Sequence, residues 1–177
     1  MRRTLIDMEL GRVVVLGVVG AAAVIDVRTH RIPNVLTFGS AAVALIYSFW
    51  TGGLHGLALS AGGWATGIAL FLPMFLLRGM GAGDVKLLGA VGSWLGPSVV
   101  LYAALYSVLA GGVLALVVGA MHGYLGTALS NLWGLLNFWR TAGIRPLPGL
   151  TIDDAAGPRL AYGVAIAAGT IAAVWLK

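Results

Sequence analysis

The sequence contains no cysteine, which excludes disulfide bridges, thiolate nucleophiles and cysteine-ligated metal sites. Charged residues are also scarce. Asp, Glu, Lys and Arg make up 10% of the 177 residues, whereas soluble domains carry about 25%. These charges are too few to cover a surface that faces water on all sides. The composition therefore excludes an ordinary soluble domain.

The sequence is instead rich in long apolar runs of Leu, Ala, Val and Gly. Hydrophobic residues make up 59% of the chain, and the mean hydropathy is +0.95. Strands of a membrane barrel alternate apolar and polar residues, but these runs are apolar on every side. At roughly 20 residues per span, the sequence predicts an all-α integral membrane protein. We expect one domain, residues 1–177, that forms a bundle of about six transmembrane helices.

Turn residues and the ends of the apolar runs predict where the helices lie. The predicted helices are 5–25, 35–50, 54–77, 85–95, 99–121 and 160–176. The run 85–95 is short, since eleven residues rise only about 16 Å. This helix either begins within the glycine-rich loop before it or is surrounded by protein and water. In the polar region 122–158, we expect segment 124–139 to lie along the membrane interface, and a seventh span is the less favoured alternative.

The basic residues lie between the apolar runs and therefore indicate membrane topology, not a nucleic-acid surface. Two complete predicted helices separate Asp26 from Asp84, which puts both acids on the same face. Seven basic residues share that face: Arg28, Arg31, Arg78, Lys86, Arg140, Arg145 and Arg159. Four lie on the other: Arg2, Arg3, Arg12 and Lys177. The difference predicts a multi-pass protein of the cytoplasmic (inner) membrane with the acids facing the cytoplasm.

Asp26 and Asp84 are the candidate catalytic residues, because ionisable side chains at membrane depth usually serve a function. Two neighbouring carboxylates can share one proton, so that one acts as general base and the other as general acid. Simpler interpretations exist for each residue alone. Asp26 can form an exposed ion pair with Arg28 or Arg31, and Asp84 can be the N-cap of the next helix.

The three histidines do not have the spacing of metal ligands, so we predict neither a metal nor another cofactor. They are scattered along the chain at His30, His55 and His122.

Two motifs together resemble a known family. Asp26-Val-Arg-Thr-His-Arg-Ile-Pro-Asn34 closes the first apolar run, and Gly79-Met-Gly-Ala-Gly-Asp-Val-Lys86 opens the fourth. The pair resembles the prepilin peptidases, the GxGD-type aspartic proteases of type IV pilus and type II secretion systems. The small size is similar to that of the members that serve tight-adherence (Flp-type) pili. Leu160-Ala-Tyr-Gly163 also looks like the start of the family's last helix, although Ala161 stands where the family usually has proline.

The resemblance implies a membrane-embedded aspartic endopeptidase that cleaves the leader of prepilins or pseudopilins at the cytoplasmic membrane face. Asp26 and Asp84 would be its catalytic pair. It also implies substrate-binding or supporting residues: Gly81, Gly83, Lys86, Pro33 and Asn34. The two glycines are expected to let the substrate backbone approach closely, and Lys86 either tunes the acids or marks the membrane boundary.

The partners implied are a prepilin or pseudopilin substrate and the lipid bilayer, without nucleic acid. Longer family members carry an N-terminal domain with paired Cys-x-x-Cys motifs that is linked to N-methylation. We expect no such domain here, because the chain has no cysteine.

Two other interpretations remain open. The first is another GxGD protease, such as a preflagellin peptidase or a presenilin-like enzyme. A presenilin-like enzyme would carry Tyr-Asp and Pro-Ala-Leu motifs, and neither is present. The second is a proton- or cation-coupled transporter, since paired acids in a helical bundle can serve transport. A transporter would be expected to place its acids near the bilayer midplane and to show inverted repeats. Here the acids lie at the ends of apolar runs.

Overall fold

The structure is a computed structural model that describes residues 2–145 and 160–176, with side chains from residue 9 onward apart from Ala142. All regular structure in these ranges is helical, which confirms the predicted all-α class. The described part of the chain forms five helices: α1 (Arg2–Thr29), α2 (Asn34–Leu76), α3 (Ala82–Met121), α4 (Leu125–Ala142) and α5 (Tyr162–Leu176). Arg159 and Lys177, which were counted among the basic residues on the two predicted membrane faces, lie outside the described residues.

Among the described residues, three stretches are long and apolar enough to cross a membrane: Glu9–Thr29 within α1, and the whole of α2 and α3. The predicted count of about six separate helices is not confirmed. The predicted helices 35–50 and 54–77 are joined in α2, and 85–95 and 99–121 are joined in α3. Each long helix contains one glycine outside helical geometry, Gly53 (φ 60°) in α2 and Gly96 (φ 77°) in α3. Glycine adopts positive φ without the steric cost of a Cβ.

The first part of α2, residues 34–52 (α2a), runs parallel to the first part of α3, residues 82–95 (α3a). Near the start of both segments, Lys86 Nζ donates a hydrogen bond to Asn34 Oδ1 at 3.0 Å. Further along both, Trp94 Nε1 donates to Ser40 Oγ at 2.9 Å. Because residue numbers rise together in the two contacts, α2a and α3a point in the same direction.

The second part of α2, residues 54–76 (α2b), runs antiparallel to α3a. Ser60 Oγ donates to the Ser93 carbonyl at 2.8 Å, and Gly67 packs against the backbone of Leu88. From the first contact to the second, the residue numbers rise along α2b and fall along α3a, so the two segments are antiparallel. Since α2a is parallel to α3a and α2b is antiparallel to it, the direction of the chain reverses at Gly53.

The segment α3a lies at the centre of the bundle. Residues 87–93 are all buried, and α3 packs against α2, α5 and α1. Gly63 of α2b and Gly92 of α3a meet backbone to backbone, because a Cβ on either would overlap the carbonyl of the other. Small residues of this kind allow the close helix crossings typical of membrane bundles. The short run 85–95 is therefore explained in both predicted ways: its helix begins in the glycine loop, at Ala82, and protein surrounds it.

The other helices complete the bundle around α3. The buried positions Val15, Val19, Ala22 and Asp26 of α1 follow each other at spacings of three or four residues, so they share one face. That face and α5 pack against each other and against α3. Among the described helices, α4 touches only α3. The fold therefore brings the end of α1, the start of α3 and the start of α5 together.

Candidate functional site

Asp26 lies in the last turn of α1 with only 6% of its surface exposed. Its Oδ2 accepts a hydrogen bond of 2.8 Å from the backbone N–H of Gly163. Gly163 is the second residue of α5, and N–H groups in a first helical turn have no acceptor within their own helix. The carboxylate of Asp26 therefore satisfies an amide at the start of α5, where the helix dipole also favours negative charge.

The simpler interpretation of Asp26 as an exposed ion pair does not fit this position. Asp26 is buried, whereas Arg28 and Arg31 are exposed. Within the part of the chain that the structure describes, the salt bridge present joins Arg12 to Glu9. The carboxylate is thus held by a backbone amide and not by a neighbouring guanidinium.

Asp84 is the third residue of α3 and is 9% exposed. The N-cap is Gly81, with φ −74° and ψ 148°, so the simpler interpretation of Asp84 as the N-cap is wrong. The helix starts earlier because Ala82 and Gly83 adopt helical geometry within the glycine loop. The carboxylate of Asp84 instead hydrogen-bonds to the backbone of Gly81. An acid at the third helical position that reaches back to the N-cap is one half of a capping box.

The structure brings Asp26 and Asp84 close enough for their charges to interact. The two acids come from different helices: Asp84 lies in the first turn of α3, and Asp26, at the end of α1, faces the first turn of α5. Like charges at short range repel each other, and the N-terminal dipoles of α3 and α5 oppose that repulsion. In residues 2–145 and 160–176, no group of three or more His, Asp or Glu side chains has a geometry that could hold a metal ion.

Tyr162, the first residue of α5, forms one side of this site. It interacts electrostatically with Asp84. Its ring packs edge-on against Phe71 with centroids 5.9 Å apart, and its hydroxyl donates to the Ser107 carbonyl at 3.4 Å. These contacts fix the start of α5 beside the acids.

Tyr162 and Gly163 were not among the site residues predicted from the sequence. Both occur in the segment that resembles the family's last helix, and this was the only signal for them. Nothing in the local sequence shows that this segment meets Asp26, since 137 positions separate Gly163 from its hydrogen-bond partner.

The two predicted site glycines face atoms of the protein itself. A Cβ on Gly81 would lie 3.2 Å from Asp84 Oδ2, and a Cβ on Gly83 would lie 3.2 Å from the Cβ of Ile32. Gly81 therefore leaves room for the carboxylate of Asp84. Gly83 lets the buried Ile32 pack against the start of α3, a contact different from the expected close approach of a substrate backbone.

The remaining predicted site residues join α2 to α3. Pro33 is the N-cap of α2, with φ −62° and ψ 137°, and Asn34 is its first residue. The Lys86 ammonium donates to Asn34 and lies 5.1 Å from the centre of the Phe38 ring, a cation–π geometry. These contacts direct Lys86 toward α2 and give it a structural role.

Among known families, a model described as the type IV leader peptidase family matches residues 13–116. The match includes Asp26, Asp84 and the glycine loop, and it ends before α4 and α5. No curated protein and no solved structure matches the chain significantly.

Proposed function

Because the chain belongs to the type IV leader peptidase family, it is a peptidase, and we propose that it is an aspartic endopeptidase of prepilins. Its substrates are the type IV or Flp-type prepilins or pseudopilins, from which it removes the leader peptide. The observation that carries the proposal is the pair of buried carboxylates, Asp26 and Asp84, which interact at the junction of three helices.

The proposed reaction is hydrolysis by a pair of carboxyl groups that holds one proton. The ionised member takes a proton from water, and the oxygen of that water adds to the carbonyl carbon of the scissile peptide bond. The protonated member then gives its proton to the leaving nitrogen as the carbon–nitrogen bond breaks. After the reaction one carboxyl group again carries a proton and the other is ionised, so the pair is ready for another cycle.

The supporting residues act by holding the acids in place. Gly81 accommodates the carboxylate of Asp84. Pro33 starts α2, and the hydrogen bond between Asn34 and Lys86 joins that start to α3. In this proposal none of the four contacts the substrate. Their effect on the reaction comes from the position that they give to the first turn of α3.

We further propose six membrane crossings: α1, the two parts of α2, the two parts of α3, and α5. The contacts of α2a and α2b with α3a support a reversal of direction at Gly53, and Gly96 has a similarly non-helical backbone. With a second reversal at Gly96, residues 97–121 return to the end of the bundle that holds the acids. Exposed basic residues lie near the helix ends on this side, at Arg28, Arg31 and Arg78, so we assign it to the cytoplasm.

In this arrangement α4 lies along the cytoplasmic surface of the membrane. It follows the end of α3 after a short turn and touches no other described helix. Large apolar side chains are exposed along it: Leu129, Leu132, Trp133 and Leu136. Thr127, Ser130 and Asn137 lie on a different face of this helix. An apolar face with tryptophan beside a polar face is typical of helices that lie in the interface.

Cysteine labelling tests the proposed orientation in a chain that has no cysteine of its own. Thr29→Cys and Ala82→Cys should be protected from an impermeant thiol reagent in intact cells and should react after the inner face is opened. Thr51→Cys, next to the reversal at Gly53, is the matched control and should react from outside. Labelling of Thr29→Cys in intact cells would show that the acids face the other side.

A cleavage assay tests the proposed activity. Purified protein is reconstituted in liposomes with a Flp-type prepilin, and the products are identified by mass spectrometry. We expect one cut, directly after the glycine that ends the leader, and no cut in an otherwise identical peptide without its leader. An intact prepilin in the presence of folded protein would contradict the proposal. Proton flux that depends on Asp26 under the same conditions would favour a transporter.

A further inference from the structure

Gly163 contacts the carboxylate of Asp26 in two ways. Its N–H donates the 2.8 Å hydrogen bond to Oδ2. Its missing side chain also matters, because a Cβ at this position would lie 3.0 Å from Oδ2 and 3.1 Å from the Cβ of Asp26. Contacts in that range are closer than most that real Cβ atoms make. Gly163 thus provides both the donor and the space that this position of Asp26 requires.

The N–H of Gly163 is itself held in a fixed position. Tyr162, the preceding residue, packs against Phe71 and reaches the Ser107 carbonyl. Two turns further along α5, Gly169 packs directly against Ser107. Both ends of this part of α5 are therefore anchored on neighbouring helices. A donor on such a rigid element fixes a side-chain oxygen more accurately than a donor on a mobile loop.

We propose that Gly163 is a positioning residue of the peptidase site: its N–H holds Oδ2 of Asp26 and leaves Oδ1 as the oxygen that meets the reacting water. The inference rests on the proposed function, because it assigns a task to one oxygen of the proposed catalytic pair. It also makes the start of α5 a part of the site, although the family match ends at residue 116. The site is then built by three helices, with α1 and α3 supplying the acids and α5 supplying the donor.

A purely structural role is the competing explanation. In that case Asp26 only caps α5, and loss of the hydrogen bond lowers stability without changing the rate of the folded enzyme. The positioning role predicts a fall in kcat with little change in KM, because the hydrogen bond orients a reacting group and does not bind the substrate. The kcat of the folded fraction therefore separates the two roles.

The cleanest variant replaces the Gly163 N–H with an ester oxygen, by incorporating glycolic acid at this position during cell-free synthesis. The first-turn N–H has no acceptor within α5, so this change removes the bond to Asp26 and adds no bulk. We expect kcat for prepilin cleavage to fall about tenfold to a hundredfold, the range for a hydrogen bond to a charged group. We expect KM to remain within about twofold.

Gly163→Ala is the second variant, and it keeps the N–H while its Cβ displaces the carboxylate. A displacement of 1 Å near reacting groups can cost on the order of a hundredfold in rate. Ala168→Ser is the control on the same helix. Ala168 is exposed and takes no part in the contacts that anchor α5, so the melting temperature and the kcat of this variant should stay close to the wild-type values.

The outcomes of the experiment are distinct. A wild-type kcat in the ester variant, with folding verified by its melting curve, overturns the positioning role and leaves the proposed function intact. Failure of the wild-type protein to cleave prepilin overturns both. A fall in kcat in the ester variant and in Gly163→Ala, but not in Ala168→Ser, supports the inference.

Discussion

The two ends of α3a bury polar groups of different kinds. At its start lies Asp84, next to Asp26. Near its end, about 14 Å further along at 1.5 Å per residue, Ser93 is buried against Ser60. There the Ser60 hydroxyl donates to the Ser93 carbonyl at 2.8 Å, and the Ser93 hydroxyl donates to the Gly89 carbonyl at 3.2 Å. A cavity of about 220 Å³ adjoins these serines.

The serine end and the aspartate end differ in how their polar groups are satisfied. Each serine hydroxyl donates to a helix carbonyl, and this arrangement carries no net charge. The carboxylates at the other end repel each other and depend on N-terminal amides of α3 and α5. An arrangement of buried charges is costly and is usually retained for a function. The identity of the buried groups, and not burial alone, therefore distinguishes a candidate active site from a packing contact.

The largest expected effect is the loss of cleavage when either carboxyl group is replaced by an amide. Asp26→Asn and Asp84→Asn should each lower kcat about a thousandfold or more, because an amide can neither take a proton from water nor donate one as an acid. Both variants should still accumulate in the membrane. The measurement is the initial rate of prepilin cleavage, normalised to folded protein.

Glu9→Gln is the matched control for this prediction. Glu9 is 68% exposed on its side chain and pairs with Arg12 in the same helix, and such surface pairs contribute little. Its substitution should leave kcat unchanged. A large loss of activity in Glu9→Gln, without loss of protein, would show that the chemistry has been assigned to the wrong acids.

Gly83→Ala should have an intermediate effect, and it tests how the aspartate end is packed. The new Cβ would press on Ile32 at 3.2 Å, and overpacking of this kind costs about 1–3 kcal/mol. We expect the melting temperature in detergent and the cleavage rate to fall together. The second change Ile32→Val removes a methylene group from Ile32 and should restore part of both.

Ala82→Ser serves as the control within the same loop, since position 82 already has a Cβ, and its effect should be mild. A strong loss of rate in Gly83→Ala at an unchanged melting temperature would contradict the packing role. It would favour the earlier expectation that Gly83 lets the substrate backbone approach.

The smallest effect is expected at the serine end. Ser60→Ala removes one neutral hydrogen bond, which typically contributes about 1 kcal/mol to stability. The melting temperature should fall slightly, while kcat and KM stay at their wild-type values. A clear change in kcat would mean that the two ends are coupled and that the comparison between them is too simple.

The sequence predicted the parts of the fold that depend on local pattern. Helical class follows from apolar runs, and the gaps predicted at 51–53 and 96–98 contain the two glycines, Gly53 and Gly96, that interrupt the long helices. The predicted count of separate helices is not confirmed, because the backbone departs from helical geometry at only one glycine in each long helix. Asp26 and Asp84 could be singled out because acids are rare among apolar residues.

The contacts between distant segments could not be predicted from the sequence. The hydrogen bond from Gly163 to Asp26 depends on how α5 packs against α1, and no local pattern encodes that packing. The contact of Gly83 with Ile32 likewise depends on the path of the segment between α1 and α2. The sequence alone does not distinguish the roles of Gly163 and Gly83. Their neighbours in the fold do, because Gly163 contacts the carboxylate of Asp26 and Gly83 packs against Ile32.

Asp26 and Asp84 are proposed to act as one unit. The double variant Asp26→Asn/Asp84→Asn measures whether the losses caused by the two substitutions are coupled. Groups that work together in one step show strongly non-additive effects. We predict that the residual cleavage rate of the double variant, measured in single-turnover reactions with excess enzyme, equals that of either single variant within about threefold. A double variant slower than the singles by the product of their separate losses would show independent roles and contradict the account.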